Sequence, residues 1–295
     1  MKQLSLPGLS ENKQRIVNVA SVRHRSPFRY PGGKTWLVPQ IQHWLSAYES
    51  TPAHFIEPFA GGGIVGLTIA FEDLAGHVTL VERDEQVAAV WETIIVAGKG
   101  ELLAEKIISF ELTPTNVDSL LAKDTGDLVE RAFQTIIKNR INRGGILAAG
   151  AGKIKTGENG QGIASRWYPE TLKQRILDIH RLRNQLSFIW GDGLSVIQEN
   201  SACADTVFFI DPPYTASDKR PGSRLYNYSE IDHAALFDLM AGIKGDFLMS
   251  YDNHQTVIDL ARAHHFDIEP VAMKNTHHNR LTELLIGQNL DWLRV

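Results

Sequence analysis

Between residues 54 and 96 the chain alternates short apolar runs with a glycine cluster and helical patterns, and this order constrains the fold more than any other feature. The predicted elements are a strand at 54–56, a tight loop at Gly61-Gly62-Gly63, a helix at 64–71, a strand at 78–81 that ends at Glu82, and a helix at about 85–96. A strand, a glycine loop, a helix and a second strand closed by an acid follow the order of a nucleotide-binding half-sheet. The sequence therefore predicts an α/β fold.

The remaining strands are separated from the first two by a long helical stretch. Strands are expected at 186–190, 206–210 and 247–250, and the last two segments, 266–273 and 281–286, resemble a terminal antiparallel pair. Between them and the first half-sheet the patterns are helical, at 101–109, 127–141 and 169–185, interrupted by a glycine-rich loop at 143–166. A loop of that length inside a compact domain is usually functional or disordered.

These patterns divide the chain into three parts. Residues 1–25 are polar and basic and predict a flexible arm. Residues 26–100 and 186–295 together predict one sheet domain, and residues 101–185 predict a mostly helical insertion into it.

Composition limits the cellular compartment in which the protein is expected and the kinds of stabilising or metal site that it can carry. No apolar stretch is long enough to span a bilayer, and the N-terminus lacks the apolar core of a signal peptide, so a cytoplasmic location is expected. The single cysteine, Cys203, excludes an intrachain disulfide framework and a cysteine-rich zinc site. The histidine pairs at 264–265 and 277–278 have no acid or cysteine that completes a ligand set, so no metal is expected.

Charge is distributed unevenly along a chain whose formal net charge is −4. From residue 138 to residue 175 there are eight basic residues against Glu158 and Glu170, and the first 34 residues are basic as well. Such patches attract phosphates regardless of nucleotide sequence. Solvated surface charge is the alternative, but the basic segment predicts contacts to nucleic acid, with these candidates: Arg140, Arg143, Lys153, Lys155 and Arg166.

The segment Asp211-Pro212-Pro213-Tyr214 directly follows the apolar run 207–210. That run predicts a buried strand, and two prolines cannot continue a ladder of hydrogen bonds. Asp211 and the Pro212 carbonyl could accept both N–H bonds of an exocyclic amine while the Tyr214 ring stacks on the base. The alternative is a proline turn with an ordinary surface aspartate.

Polar groups at the ends of the other strands indicate a nucleoside site. In the segment Phe59 to Gly63, the residues Gly61 and Gly63 would let the backbone approach a ligand closely. Glu82 is placed like an acid that binds ribose hydroxyls, and Asp192 could bond an adenine. Since the chain has no Walker lysine pattern, a nucleoside without phosphate, such as S-adenosylmethionine, is favoured over a nucleotide.

Four blocks in this order resemble the Dam-type adenine-specific DNA methyltransferases: Phe28 to Lys34, Phe55 to Gly63, Glu82, and Asp211 to Tyr214. Arg166 to Pro169 and Glu283 to Ile286 resemble the same family. The resemblance implies a Rossmann-like methyltransferase sheet with a helical target-recognition insertion at 101–185. It also implies that Tyr30, Lys34, Glu82 and Asp211 contact S-adenosylmethionine and that the segment 211–214 holds the target adenine of double-stranded DNA.

One block departs from the family. Members that modify GATC carry Asn-Arg followed by Phe-Asn-Gly-Leu and a basic hairpin. In this chain the segment 139–146 reads Asn-Arg-Ile-Asn-Arg-Gly-Gly-Ile instead. GATC specificity is therefore not supported.

The expected chemistry is direct methyl transfer to a base that has left the duplex. Residues of the segment 215–229 could contact DNA or replace the base in the stack, and the candidates are Arg220, Arg224, Tyr226 and Tyr228. A surface loop with no such role is the alternative. Two further interpretations of the whole chain stay open: methylation of another planar amine (cytosine, RNA or protein glutamine), and a DNA-binding protein without turnover.

The arm contains the pentapeptide Gln3-Leu4-Ser5-Leu6-Pro7, which resembles the short peptides that dock bacterial replication proteins on the DNA sliding clamp. Gln3 would make polar contacts, and Leu4 and Leu6 would fill an apolar pocket. A chance match in a disordered arm is the alternative.

Overall fold

The protein is built on one seven-stranded sheet with the strand order β3-β2-β1-β4-β5-β7-β6. The computed structural model describes residues 17–213, 231–274 and 280–294. The strands are β1 His54–Glu57, β2 His77–Glu82, β3 Leu186–Trp190, β4 Thr206–Ile210, β5 Asp246–Asp252, β6 Asp267–Lys274 and β7 Arg280–Gly287. The first five run parallel, and β7 runs antiparallel to both of its neighbours. The predicted Rossmann-like α/β sheet with a terminal antiparallel pair is confirmed.

Helices cover both faces of the sheet, as parallel strands require. They are α1 Val38–Ser46, α2 Ile64–Phe71, α3 Glu85–Trp91, α4 Gly100–Ser109, α5 Pro114–Leu121, α6 Leu128–Ile141, α7 Pro169–Arg181, α8 Gly193–Asn200, α9 His233–Ala241, α10 Gln255–Ala263 and α11 Asp291–Arg294. A π-helical turn, Glu92–Val96, continues α3. Among the described residues no helix has both the length and the apolar composition needed to cross a membrane.

The central strands, β1 and β4, are the most completely buried parts of the sheet. Every residue of β4 is buried, as is β1 from Phe55 onward, because apolar side chains there face helices on both sides. Within the terminal pair β6 is the edge strand, and β7 lies between β5 and β6. This position places Glu283 of β7 directly opposite Asp252 of β5.

The helical stretch that the sequence predicts as an insertion packs on the same core as the sheet. Ile136 of α6 and Ile176 of α7 belong to one buried cluster with Trp91 and Val78. The predicted helices at 101–109, 127–141 and 169–185 correspond to α4, α6 and α7, whereas the sequence patterns do not predict α5.

The N-terminal arm is described only from residue 17, so residues 1–16, with the candidate docking residues Gln3, Leu4 and Leu6, lie outside the described part. Its last residue, Arg25, is attached to the domain. The Arg25 guanidinium lies 4.4 Å from the centre of the Phe71 ring and pairs with Glu72 at 2.8 Å.

Candidate active site

A cavity of about 490 Å³ opens at the carboxyl ends of the parallel strands. β1 and β4 are neighbours at the centre of the sheet. After β1 the chain continues to β2 on one side, and after β4 it continues to β5 on the other side. Open α/β sheets bind their ligands at such a reversal of strand order. The sequence predicts a set of residues that bind the cofactor or take part in the reaction. Those of the set that the structure describes all line this cavity: Tyr30, Lys34, Phe59, Gly61, Gly63, Glu82, Asp192, Asp211 and Pro212. Tyr214 lies outside the described residues.

The glycine loop after β1 is shaped by two aromatic side chains. Gly61 and Gly63 have φ of 49° and 61°, values that side-chain-bearing residues rarely adopt. A Cβ on Gly61 would lie 2.4 Å from the Tyr30 ring, and the Trp91 indole N–H donates to the Gly61 carbonyl at 3.0 Å. The sequence predicts glycine here for the approach of a ligand, whereas in this structure Gly61 makes room for Tyr30.

Glu82 at the end of β2 is fixed by backbone donors. One carboxylate oxygen accepts from the Gly61 N–H at 2.9 Å, and the other accepts from Arg83 and Asp84, both at 2.8 Å. Burial, with a smaller contribution from the charge of Asp84, raises the pKa of Glu82 to about 7. The carboxyl group is therefore held at the cavity rim and titrates near neutrality.

Asp211 is held by side chains from two distant parts of the chain. The Lys34 ammonium lies 3.0 Å from Asp211 Oδ1, and the Ser250 hydroxyl donates to the same oxygen at 2.9 Å. Glu283 Oε2 lies 3.5 Å from the Lys34 nitrogen. Burial alone would lower the pKa of Lys34, which is 3% exposed, but the charges of Asp211 and Glu283 outweigh burial and raise it. Lys34 therefore stays an ammonium in the interior.

Two buried acids in the cavity are absent from the site residues that the sequence predicts. Glu57 at the end of β1 accepts from the Gly66 N–H at 2.8 Å, and burial raises its pKa to about 8. In the sequence Glu283 stands out only as part of the closing block 283–286, and burial raises its pKa to about 7. The sequence signal for Glu57 is its position at the end of an apolar strand, whereas Glu283 lies within β7 and directly precedes the apolar run 284–286.

Asn139 and Arg140 of α6 face the interior. The Asn139 side chain accepts from the Arg29 N–H and donates to the Arg29 carbonyl, both at 2.9 Å, and donates to the Gly145 carbonyl at 2.8 Å. Arg140 is 5% exposed and donates to the Pro27 carbonyl. Burial lowers the pKa of Arg140 to about 9. The prediction that Arg140 contacts phosphate is wrong for this structure, because its guanidinium holds the segment that carries Tyr30 and Lys34.

The other candidates for DNA contact lie at the surface of the insertion. The segment after α6 folds back on itself, since the Arg143 N–H donates to the Gly152 carbonyl at 3.0 Å and Asn142 bridges to Lys153. Arg143 and Lys155 are exposed. Lys153 pairs with Asp118 at 2.7 Å, and Arg166 pairs with Glu158.

Some predictions fall outside the described residues. Arg220, Arg224, Tyr226 and Tyr228 lie in the segment 214–230, and His277-His278 lies in 275–279. Of the other histidine pair, His264 bonds Asp238 at 2.8 Å. No group of three or more metal-ligating side chains occurs among the residues that the structure describes.

Comparison with known proteins gives one family. Residues 30–105 match the family described as D12 class N6 adenine-specific DNA methyltransferase. No curated protein matches the sequence. One similar solved structure is precorrin-6y C5,15-methyltransferase from Geobacter metallireducens GS-15, with 9% identity, 85% of this chain and 86% of that chain covered, and a TM-score of 0.35. A TM-score of that size does not establish a common fold.

Proposed function

We propose that this chain, whose residues 30–105 carry the D12 class N6 adenine-specific DNA methyltransferase match, transfers a methyl group from S-adenosylmethionine to adenine in double-stranded DNA. One observation carries the proposal. A single cavity contains both the acid and glycine loop of a nucleoside site and the Lys34-supported Asp211 followed by Pro212.

The electrostatics of the cavity fit this cofactor better than a phosphate-bearing one. The described lining includes eight carboxylic acids: Glu57, Glu82, Asp84, Asp192, Asp211, Asp232, Asp252 and Glu283. Lys34 and Arg83 are the cationic side chains of that described lining, since burial lowers the pKa of His24 to about 4. Glu57 is neutral at pH 7 because of its raised pKa, but the remaining acids still outnumber the two cations. Such a surface attracts a ligand that carries sulfonium and ammonium charges and repels phosphates.

Particular residues would hold the cofactor. Glu82 offers carboxylate oxygens to ribose hydroxyls, and Asp192, exposed at the start of α8, offers an acceptor to the adenine amine. Tyr30, Phe59 and the backbone at Gly61 and Gly63 supply the walls. S-adenosylmethionine supplies an electrophilic methyl group bound to sulfur.

Asp211 and the Pro212 carbonyl would accept the two N–H bonds of the target amine. The adenine amine is a poor nucleophile because its lone pair is delocalised into the ring. Two acceptors out of the ring plane would localise that pair, and the Asp211 carboxylate would stabilise the positive charge that develops on nitrogen. Since Lys34 and Ser250 already fix Oδ1, Asp211 needs little reorganisation during the reaction.

The target adenine would reach the cavity by leaving the duplex, which costs roughly a few kcal/mol. Contacts from the exposed Arg143 and Lys155 to phosphates would offset that cost and orient the duplex. The insertion 101–185 would thus act in target recognition, together with the segment 214–230.

The test is a methyl-transfer assay with tritiated S-adenosylmethionine and plasmid DNA, followed by digestion to nucleosides and chromatography. We expect the label in N6-methyldeoxyadenosine. Label in N4-methyldeoxycytidine, or in RNA or a glutamine-containing protein supplied as acceptor in parallel assays, would show that the substrate is not adenine in DNA. DNA binding without label in any of these acceptors would indicate a binding protein without turnover.

A further inference from the structure

The closing block 283–286 brings an acid into the active site from the far end of the chain. Glu283 stands opposite Asp252 in the register of β5 and β7, and opposite residues of an antiparallel pair share one face of the sheet. Ser250 lies two residues before Asp252 and so faces the same way. That face meets the segment 30–34, where the Lys34 nitrogen lies 3.0 Å from Asp211 and 3.5 Å from Glu283.

A buried lysine between two carboxylates behaves differently from a lysine with one. With a single acid, the ammonium would move fully onto that acid and neutralise it. With two, its charge and its three N–H donors are shared. Lys34 also donates to the Gly32 carbonyl at 3.2 Å, which ties the ammonium to its own loop. Glu283 is 8% exposed, so little water screens its attraction for Lys34.

We propose that Glu283 is a positioning residue for methyl transfer, acting through Lys34 on Asp211. Glu283 draws the Lys34 ammonium partly away from Asp211, so that one oxygen of Asp211 is oriented while the carboxylate keeps enough negative charge to accept from the amine. The inference rests on the proposed function and assigns a role to a residue that does not touch the reacting atoms.

The activity test compares Glu283→Gln with wild type under steady-state conditions at a pH well above 7, where Glu283 is ionised. The glutamine keeps the shape but removes the charge, so Lys34 collapses onto Asp211. We expect kcat and kcat/KM to fall together, by up to about 100-fold, because small displacements at a reacting centre cost that much. The KM for cofactor should change little. Glu283→Asp, which restores the charge on a shorter side chain, should recover part of kcat.

Glu269→Gln is the matched control. Glu269 is also a buried acid of the terminal pair, at 7% exposure, but its partner is Arg294 at 2.5 Å, away from the cavity. The control should lose stability and keep wild-type kcat. Wild-type kcat in Glu283→Gln, or equal losses in Glu283→Gln and Glu269→Gln, would overturn the inference.

A second measurement needs no turnover and no cofactor. The ¹⁵N signal of the Lys34 side chain, assigned by its disappearance in Lys34→Met, reports whether that nitrogen is an ammonium. In Glu283→Gln the Lys34 ammonium should lose its proton at a lower pH than in wild type, because one of the carboxylates that face it is gone while Asp211 and Asp252 remain. An unchanged Lys34 titration would overturn the inference. If wild type shows this titration but methylates no adenine, the proposed function fails and the pairing of Lys34 with Glu283 stands.

Discussion

At the scale of single residues, the acids of the cavity differ in what holds them. Asp211 is held by an ammonium and a hydroxyl, whereas Glu57 is buried near the charges of Asp211 and Glu82, with the Gly66 N–H as a donor. The first arrangement stabilises a carboxylate, and the second favours a neutral acid, as the pKa of Glu57 at about 8 indicates. At the ends of the neighbouring strands β4 and β1, the carboxyl groups of Asp211 and Glu57 therefore favour opposite charge states. Asp211 is held as a charged acceptor for the proposed reaction, whereas the neutral Glu57 makes the stability of the fold depend on pH.

The first prediction concerns Asp211. Asp211→Ala removes the acceptor and the charge that stabilise the reacting amine, so methyl transfer to DNA should be abolished while the fold persists, because Lys34 keeps Glu283 as a partner. The control is Asp205→Ala, an exposed acid before the amino end of the same strand, β4. Tritium transfer and thermal unfolding are measured for both. A folded Asp211→Ala protein with wild-type turnover would refute the mechanism.

Glu57 provides a prediction about pH and stability. Between pH 4.5 and pH 8 the unfolded chain releases the Glu57 proton while the folded chain keeps it, so wild-type stability falls with rising pH. The contribution is about 1.4 kcal/mol per pH unit within that window. Glu57→Gln has no such proton, so its stability relative to wild type should increase from pH 5 to pH 8 in urea unfolding. Glu101→Gln, on the exposed side of α4, is the control, and a difference independent of pH would contradict the assignment.

At the scale of elements, α6 joins the residues 101–185 to the side of the cavity that we propose to bind the cofactor. Asn139 bonds the backbone of Arg29 and of Gly145 at once, and a Cβ on Gly145 would lie 2.0 Å from the Arg29 carbonyl oxygen. The surface turn after α6 and the segment that carries Tyr30 and Lys34 are therefore packed as one unit.

Asn139→Ala tests that unit. The substitution removes the partner of the buried Gly145 carbonyl, at about 1–3 kcal/mol, and of the part-buried Arg29 N–H and carbonyl, at a smaller cost. We expect a lower unfolding free energy and also weaker binding of S-adenosylmethionine in calorimetry, because Tyr30, which would form a wall of the cofactor site, loses its anchor. The control is Gln134→Ala on the same helix, whose amide donates to the Leu120 and Lys123 carbonyls instead. If both variants bind the cofactor equally well, α6 does not position the cofactor side.

Local signals predict most elements and miss those whose cause is distant in sequence. The strands at 186–190 and 206–210 are predicted with their observed bounds because apolar runs flanked by turns are local features. The helix α5 is missed although Val117, Leu120 and Leu121 have helical spacing, because the segment is only eight residues long and these are its only large apolar side chains.

The residues of the candidate site likewise divide into those that local sequence patterns predict and those whose role depends on distant parts of the chain. Residues at strand ends, such as Glu82 and Asp211, can be predicted because the loop that follows each strand carries a recognisable pattern. Glu283 as a partner of Lys34 cannot, since the two are joined only by the position of β7 in the sheet. Arg140 is predicted to contact phosphate because it belongs to the basic segment 138–175, and the structure buries it against a backbone carbonyl.

At the scale of the whole molecule, the N-terminal arm leads to a testable hypothesis about how the protein would be attached to replicating DNA. The hypothesis that Gln3, Leu4 and Leu6 dock on a sliding clamp predicts about micromolar affinity in surface plasmon resonance. That binding should vanish when residues 2–9 are deleted, while methylation of short DNA hardly changes. Ser10→Ala with Glu11→Ala, in the same arm, should bind as wild type does. No binding by the full-length chain would end the hypothesis.

The distribution of charge over the molecule gives the last prediction. An acid-rich cavity repels the phosphate backbone and admits a base, so the attraction for DNA must come from elsewhere, and the exposed basic side chains of the insertion can supply it. Lys153 and Arg166 already face carboxylates, which leaves Arg143 and Lys155 as the stronger candidates. Replacing both by alanine should reduce the slope of log affinity against log salt by about 0.9 for each phosphate that is no longer neutralised. Lys244→Ala with Arg262→Ala removes two exposed charges outside the insertion and should leave the slope unchanged. A slope that responds to the second pair and not to the first would place DNA on another face of the protein.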